Sequence, residues 1–275
     1  MDSIMILGLV LCWSRSAGPL RELQVMFGHA STNISMWLRF GVRMVILALK
    51  DNDLAKVCMP TDSEIAEYAK AIGNKYPLLT KCWGAMDGLK LSMERPGDSD
   101  GYDIQAMFYN GWTCDHCLSN LFLFSPDGRI RHAYINCPGS MHDSTMAHNS
   151  GVYQKIDDIF DRIGYQVVVD SAFAAKNSDS LIKTIKDNMD SNGNIIMSLS
   201  KLNQAKAVRI LSEWGMRGFQ GSFPRLKSKI RYEERGERKI LLQSLVLLFN
   251  FRSGTIGFNQ IRTVFMPHLL NMKYY

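Results

Sequence analysis

Two acidic residues stand in segments that are predicted to be buried β-strands. Asp87 lies in the middle of the apolar run 82–93, and Asp170 follows three consecutive valines at 167–169. Aspartate is depleted in strands, and an ionised carboxylate removed from water without a partner is costly, so a cation or several donors should lie close by. An acid at the carboxyl end of a buried strand is also where open α/β sheets place their ligands. Both residues are therefore candidate ligands, with turn or capping roles as the alternatives.

Two further acids are candidates for the same site. Asp143 follows His142 at a predicted helix start, and Glu213 lies in a long predicted helix with Arg209 and Arg217 one turn away on either side. Helix N-capping is an adequate alternative for Asp143. A surface ion-pair ladder is the alternative for Glu213, and it would be preferred if the other acids were absent.

Four converging carboxylates indicate a particular chemistry. They would repel one another and raise some of their pKa values unless a cation lay between them. Hard oxygen ligands in this number suit Mg²⁺ or Mn²⁺ better than zinc. Two such ions can hold the attacking and leaving oxygens of an in-line displacement at phosphorus. The acids therefore predict a divalent-metal site for phosphodiester chemistry.

Two other groups of residues could also bind a metal. The segment 114–117, Cys-Asp-His-Cys, has the spacing of half a zinc site, but no second pair follows at a matching distance, which favours two small buried cysteines at a strand edge. A His/Asp metal phosphohydrolase could use His116 or His132 with His142, Asp143 and Asp170. Such sites belong to all-helical folds, whereas these residues follow predicted strands.

Composition sets broad limits on the function. The chain has 275 residues, a formal net charge of +6 and six irregularly spaced cysteines. This length allows one large domain or a small and a medium one. The positive charge points weakly to a polyanionic partner, and the cysteine spacing favours a reducing, intracellular setting over a disulfide framework. We expect no membrane association.

Basic residues cluster after the long predicted helix, although three glutamates at 233, 234 and 237 dilute the cluster. The cluster could follow a DNA backbone beside the acids, with a solvated loop as the alternative. The residues predicted to contact nucleic acid are Arg217, Arg225, Lys227, Lys229 and Arg231.

The first 80 residues are predicted to be helical. Residues 1–13 are apolar but too short to span a bilayer, and they lack the early basic residues of a secretory signal, so a buried helix is preferred over a signal peptide. The apolar run begins almost at Met1, which suggests that residues upstream are missing. Helices on either side of Gly28-His29 fit either a bundle or a helix-turn-helix in which Arg39 and Arg43 contact phosphates.

The pattern changes from helical to mixed at about residue 81. The predicted elements are strands at 82–93, 105–112, 118–124, 130–136 and 166–171, a helix from about 144 to 159, and helices at 178–188, 202–219 and 239–251. Pro126-Asp127-Gly128 is a predicted hairpin turn. This order suits an α/β, ribonuclease H-like mixed sheet flanked by helices, in which the first and the valine-rich strands lie side by side.

Several motifs together resemble the DDE superfamily endonucleases of the Harbinger transposase type. The likeness covers about residues 80–270 in one consistent order, which makes it more specific than any single motif. The motifs are Trp83-Gly84-Ala85-Met86-Asp87-Gly88, Pro138-Gly139-Ser140-Met141-His142-Asp143-Ser144, Val169-Asp170-Ser171-Ala172-Phe173, Ser212-Glu213-Trp214-Gly215-Met216-Arg217, Gln220-Gly221-Ser222-Phe223-Pro224-Arg225-Leu226-Lys227 and Leu248-Phe249-Asn250-Phe251-Arg252.

The resemblance implies a ribonuclease H-like nuclease that cuts DNA at transposon ends and joins it to a target with divalent metal. Asp87, Asp170 and Glu213 match the three catalytic acids, and Asp143 matches a further metal position. The implied domains are a helical region, 1–80, and a catalytic domain, 81–275. The implied setting is nuclear or otherwise intracellular, with DNA, a separate DNA-binding protein or a second copy of the chain as partners.

The chain departs from the family pattern in two places. Val169-Asp170-Ser171-Ala172-Phe173 replaces the Gly-Asp-Ser-Gly-Tyr of many relatives, and Ile210 follows Arg209 where a polar residue is often expected. The acids themselves are retained. A transposase-derived DNA-binding or scaffold protein that does not cleave is therefore the alternative.

Overall fold

The computed structural model describes residues 1–97, 102–173, 179–185, 195, 197–232, 235–257 and 259–267. The helices are α1 (Ser3–Arg15), α2 (Leu20–Phe27), α3 (Ser31–Leu49), α4 (Asp62–Lys75), α5 (Tyr102–Phe108), α6 (Asp143–Asn149), α7 (Val152–Ile163), α8 (Leu199–Ser222), α9 (Arg235–Ile256) and α10 (Gln260–Phe265). The strands are β1 (Cys82–Ser92), β2 (Tyr109–Asn110), β3 (Asp115–Phe124), β4 (Ile130–Pro138), β5 (Gln166–Asp170) and β6 (Leu181–Thr184).

A mixed sheet forms the centre of the described chain. Its strands run in the order β2-β3-β1-β5-β6, and β4 also pairs with β3. At its middle, β1 pairs antiparallel to β3 through Met86 and Leu123 and parallel to β5 through Met86 and Val169. Helices flank this sheet, as the element order predicted. The predicted mixed α/β, ribonuclease H-like fold is therefore confirmed.

Two hydrophobic cores support the fold. The larger core contains the sheet, and α4 and α8 both pack against β1. The smaller core joins α1, α2 and α3, and α3 also packs on α9. Thus α4 belongs to the core of the sheet although it precedes residue 80, and the boundary between two domains at that residue stays a prediction.

The predicted hairpin turn between β3 and β4 is held by a buried ionic cluster. Gly128 has the positive φ of 82° that the turn requires, and Ser125 pairs with Arg129 across it. Arg131, on β4, contacts Asp127 at 2.9 Å and Glu64 of α4 at 3.2 Å. It also donates to Ser125 Oγ at 2.9 Å and to the Tyr68 hydroxyl. We call Glu64, Tyr68, Ser125, Asp127 and Arg131 the turn cluster.

The outer edge of β4 is covered by α9. The Asn250 side chain accepts a hydrogen bond from the Ile130 N–H at 2.8 Å and donates one to the Ile130 carbonyl at 2.9 Å. A side-chain amide thus takes the place that a neighbouring strand would occupy.

Two predicted elements are wrong. Residues 105–112 were predicted to be a strand, but they lie in α5, the two-residue strand β2 and a turn. The alternation of apolar and polar residues in this segment is too short to distinguish the period of a strand from that of a helix. A helix was predicted at 178–188, but Leu181–Thr184 is strand β6, parallel to β5. The remainder of that range lies partly outside the described residues.

Helix ends differ from prediction in detail. Thr61 caps α4, and Glu64 completes a capping box with it. The helix predicted to run to residue 159 is divided into α6 and α7 at Gly151, which has a φ of 69°. One helix of the described chain, α3, is long and apolar enough to cross a membrane by length and composition.

Candidate active site

Asp87 occupies the centre of β1 and has few partners for a buried acid. Its side chain is 14% exposed. One oxygen accepts the Gly88 N–H at 2.8 Å, and the other lies 3.2 Å from Arg209 Nη1. Burial raises the pKa of Asp87 to about 6, and the neighbouring charges of Asp143 and Asp170 act in the same direction. The Gly88 amide and Arg209 therefore offset only part of the cost of burying this carboxylate.

Asp170 lies beside Asp87, as the parallel pairing requires. Met86 of β1 is paired with Val169 of β5, and each acid is the next residue along its strand. Neighbouring strands lie about 4.8 Å apart. One Asp170 oxygen accepts the Ser171 N–H at 2.5 Å and its hydroxyl at 3.2 Å. The structure therefore brings together two acids that are 83 positions apart in the sequence.

Asp143 approaches the same strand at Gly88. A Cβ on Gly88 would lie only 2.4 Å from Asp143 Oδ1, so only glycine leaves room for this carboxylate. Burial raises the pKa of Asp143; Lys90 opposes this rise, and Asp170 adds to it. The N-cap residue of α6 is His142, so N-capping does not explain Asp143.

Glu213 reaches the site through Arg209. Both residues lie on α8, where Arg209 Nη2 contacts Glu213 Oε1 at 2.7 Å. The other terminal nitrogen of the same guanidinium contacts Asp87. The ion pair expected of a surface ladder is present, but its arginine also binds a buried acid of the sheet. Glu213 and Asp87 thus share one cation.

Arg209 and Lys90 have roles that the sequence did not reveal. The sequence predicts for Arg209 only a place in a surface ladder, because its spacing from Glu213 is sufficient to explain that pair. Lys90 Nζ donates to Ser119 Oγ at 2.7 Å and lies 3.4 Å from the carbonyls of Gly139 and Met141. It thereby holds the loop that leads to Asp143. A lysine inside an apolar strand was the available signal.

The predicted nucleic-acid contacts fall into two groups. Arg225 is half-buried, donates to the carbonyls of Trp13 and Gly18, and stacks on the Trp13 ring, so it ties the N-terminal helices to the segment that follows α8. The other four are exposed, and Lys229 also contacts Asp115 at 3.4 Å. The exposed residues are Arg217, Lys227, Lys229 and Arg231.

A bridge between Met93 and Ile230 places the basic segment along the end of β1. Met93 lies six positions after Asp87, which is about 20 Å along a strand. Lys229 and Arg231, on either side of Ile230, therefore lie near the end of the strand that carries Asp87.

The donor set at Asp87 fits a hard divalent cation, because its members are all carboxylates and two of them have raised pKa values. Within the described ranges, no three histidine, cysteine or acidic side chains are close enough together to hold a metal as they stand. The Arg209 guanidinium lies between Asp87 and Glu213 and already neutralises part of their charge.

The histidines and cysteines do not form a rival site in the described part of the chain. His116 packs against Tyr109, and burial lowers the pKa of His132 to about 4. Cys117 is buried as expected, but Cys114 is exposed in a turn and has a φ of 51°. The geometry supports neither the zinc half-site nor the His/Asp phosphohydrolase.

Comparisons with known proteins give one result. No curated protein and no solved structure matches the chain. The sequence profile of the family described as DDE superfamily endonuclease matches residues 86–250. The match covers more than half of the chain and includes Asp87, Asp143, Asp170 and Glu213. The chain therefore belongs to the DDE superfamily endonucleases.

Proposed function

We propose that this chain is a divalent-metal-dependent DNA endonuclease of the Harbinger transposase type that cleaves and joins phosphodiester bonds. The observation that carries the proposal is the position of Asp87 and Asp170 on adjacent parallel strands, with Glu213 linked to Asp87 through Arg209. Membership of the DDE superfamily supports the same reaction class.

Asp87, Asp170 and Glu213 would hold Mg²⁺ or Mn²⁺, with Asp143 as a further ligand. When bound, such ions activate a water or 3′-hydroxyl and stabilise the leaving oxygen. The protein positions the ligands: Gly88 admits Asp143, Lys90 holds the loop before it, and Ser171 orients Asp170. Arg209 supplies a cation that keeps Asp87 and Glu213 near the same point.

DNA is the proposed substrate, which favours a nuclear or otherwise intracellular setting. The exposed cations Arg217, Lys227, Lys229 and Arg231 would contact backbone phosphates. Arg225 is proposed to act indirectly, by fixing the N-terminal helices on the catalytic region. A separate DNA-binding protein would supply sequence recognition where α2 and α3 do not.

The non-cleaving alternative is favoured by one observation. The Arg209 guanidinium already provides Asp87 and Glu213 with positive charge, so the fold does not need a metal to hold these acids. A DNA-binding or scaffold protein could keep this arrangement without catalysis.

Nicking of supercoiled plasmid by the purified chain tests the proposal. With Mg²⁺ or Mn²⁺ we expect nicking that is lost on chelation and falls at least about 100-fold in Asp170→Ala. The matched control is Asp161→Ala, which removes an exposed acid of α7. DNA binding without metal-dependent nicking by the wild-type chain would contradict cleavage and support the scaffold alternative.

A further inference from the structure

A buried hydroxyl close to the candidate active site has no hydrogen-bond partner. Tyr153 lies in the first turn of α7, and its ring packs against the larger hydrophobic core. Its hydroxyl oxygen is buried and forms no hydrogen bond with any part of the chain that the structure describes. A tyrosine hydroxyl removed from water usually finds a partner, because an unpaired polar group is costly there. The unpaired hydroxyl of Tyr153 therefore needs an explanation.

Asp143 is a buried acid with the complementary defect. Both of its carboxylate oxygens lie against the backbone of β1, because a Cβ on Gly88 would be 2.4 Å from one and 2.6 Å from the other. Burial raises the pKa of Asp143, and the other influences on it are charges, with no hydrogen bond from a described residue among them. The carboxylate thus lacks a donor, while the Tyr153 hydroxyl lacks an acceptor.

The fold brings these two groups near each other. Helix α6 begins at Asp143, a turn at Gly151 with a φ of 69° joins it to α7, and the two helices pack together. Burial and the charge of Asp143 together raise the pKa of the Tyr153 hydroxyl to about 12. The hydroxyl therefore lies within the range over which the Asp143 charge acts, and it keeps its proton at neutral pH.

The cations near Asp143 are less suitable donors. Lys90 Nζ donates to Ser119 Oγ at 2.7 Å and lies 3.4 Å from two backbone carbonyls. An ammonium group has three N–H donors, so these three oxygens occupy all of them. His142 is exposed at the N-cap of α6. The Tyr153 hydroxyl is thus a buried donor whose hydrogen is still available to Asp143.

We propose that Tyr153 is a positioning residue of the metal site, and that its hydroxyl donates a hydrogen bond to Asp143 when the site holds a divalent cation. The inference rests on the proposed function, because it requires Asp143 to be a metal ligand. Carboxylates that bind metals are commonly hydrogen-bonded through their remaining lone pairs, which fixes their orientation. One hydrogen bond would satisfy both the hydroxyl and the carboxylate.

Mn²⁺ binding to the purified chain tests the proposal. The electron paramagnetic resonance signal of free Mn²⁺ gives the dissociation constant, and we expect it to rise at least about 10-fold in Tyr153→Phe. The matched control is Tyr76→Phe, which removes the hydroxyl of another partly buried tyrosine, one that packs against Phe265 of α10. This control should bind Mn²⁺ as the wild type does.

Urea denaturation separates positioning from a structural role. With a chelator present the Tyr153 hydroxyl has no partner to lose, so Tyr153→Phe should leave the urea midpoint unchanged or raise it. Mn²⁺ should then raise the midpoint of this variant less than that of the wild type, because its affinity for the ion is lower. A hydroxyl with a merely structural role would lower the midpoint equally with and without Mn²⁺.

A double substitution tests whether Tyr153 acts through Asp143. In the Asp143→Ala background, Tyr153→Phe should weaken Mn²⁺ binding no further, because the acceptor of its hydrogen bond is already absent. An equal further loss in that background would show that the hydroxyl acts on some other group.

The outcomes distinguish this inference from the proposed function. Equal Mn²⁺ affinity in Tyr153→Phe and the wild type, a lower urea midpoint in chelator, or an equal loss in the Asp143→Ala background would each overturn the role of Tyr153 and leave the metal site standing. A wild-type chain that binds no Mn²⁺ would overturn both. Far-UV circular dichroism verifies folding, and Tyr153→Leu replaces Tyr153→Phe if that variant does not fold.

Discussion

The candidate active site and the turn cluster each contain an aspartate–arginine ion pair, but the pKa of the aspartate is shifted in opposite directions. Asp87 and Asp127 are almost equally exposed, at 14% and 15%, and each contacts one arginine at about 3 Å. Burial raises the pKa of Asp87 to about 6. Burial also opposes ionisation of Asp127, but Arg131, the Ser125 hydroxyl and the Arg129 N–H outweigh it, so that the pKa of Asp127 is lowered.

The difference lies in how completely each carboxylate is surrounded by donors. Asp127 receives hydrogen bonds from Ser125, Tyr68, Arg131 and the Arg129 amide. Asp87 receives one amide and one guanidinium, and other acids stand nearby. A buried carboxylate with a full set of donors stabilises the fold, whereas one that lacks them is expected to bind a cation. The number of donors around the carboxylate, and not its burial, therefore distinguishes Asp87 from Asp127.

Loss of the arginine should have the largest effect in the turn cluster. Arg131→Met leaves Asp127 buried without its main cation, which should lower the free energy of unfolding by about 3–5 kcal/mol. The matched change, Arg209→Met, should cost no more than about 1 kcal/mol, because Asp87 can take up a proton and Arg209 is 29% exposed. Urea denaturation at neutral pH measures both. Equal losses would remove the distinction between the two sites.

Neutralising each aspartate should change stability in opposite directions. The measurement is made at pH 8 with a chelator present to remove divalent metal. Under these conditions Asp127→Asn should destabilise the protein by about 2 kcal/mol, and Asp87→Asn should stabilise it by about 1–2 kcal/mol. Folded Asp87 binds its proton more tightly than the unfolded chain does, so its contribution to stability falls as pH rises from about 4 to about 6. The gain from Asp87→Asn should therefore shrink towards pH 4. A gain that grows as pH falls would contradict the raised pKa.

The smallest change in stability is expected at Gly88. In Gly88→Ala the new Cβ would meet the Asp143 carboxylate, which can swing aside, so the loss of stability should stay below about 1 kcal/mol. Metal-dependent nicking should nevertheless fall by about 10-fold or more, since Asp143 is displaced. Gly111→Ala is the control, because no atom lies within 4 Å of its added Cβ. Unchanged nicking in Gly88→Ala would exclude Asp143 from the site.

Local sequence patterns were sufficient to predict most strands of the sheet. The valines before Asp170 and the apolar run around Asp87 are long enough to identify two buried strands, and the turn at Gly128 identifies a hairpin. β6 was missed because four residues rich in apolar side chains fit a helix or a strand equally well. These four residues form a strand because they pair with the free edge of β5, at Val167, Val168 and Val169.

The site could be predicted only in part, for a similar reason. Acids inside strands are conspicuous, so Asp87 and Asp170 were identified from sequence. Glu213 required the family resemblance as well, because its spacing from Arg209 suggests a surface pair. The contact between Arg209 and Asp87 joins residues 122 positions apart, and no local spacing encodes it. The raised pKa of Asp87 likewise follows from burial in the folded sheet and from the charges of Asp143 and Asp170, whereas the Arg209 contact opposes it.

The Asn250 side chain that covers β4 also matters during synthesis. The residues that it joins are 120 positions apart, so β4 leaves the ribosome about 6–24 s before its cover does. During that interval the strand presents unpaired N–H and C=O groups, which are a template for pairing with other chains. Chains that end before residue 235 would retain this open edge, and we expect them to depend on chaperones and to aggregate. The final long helix thus protects the solubility of a sheet that is otherwise complete before it.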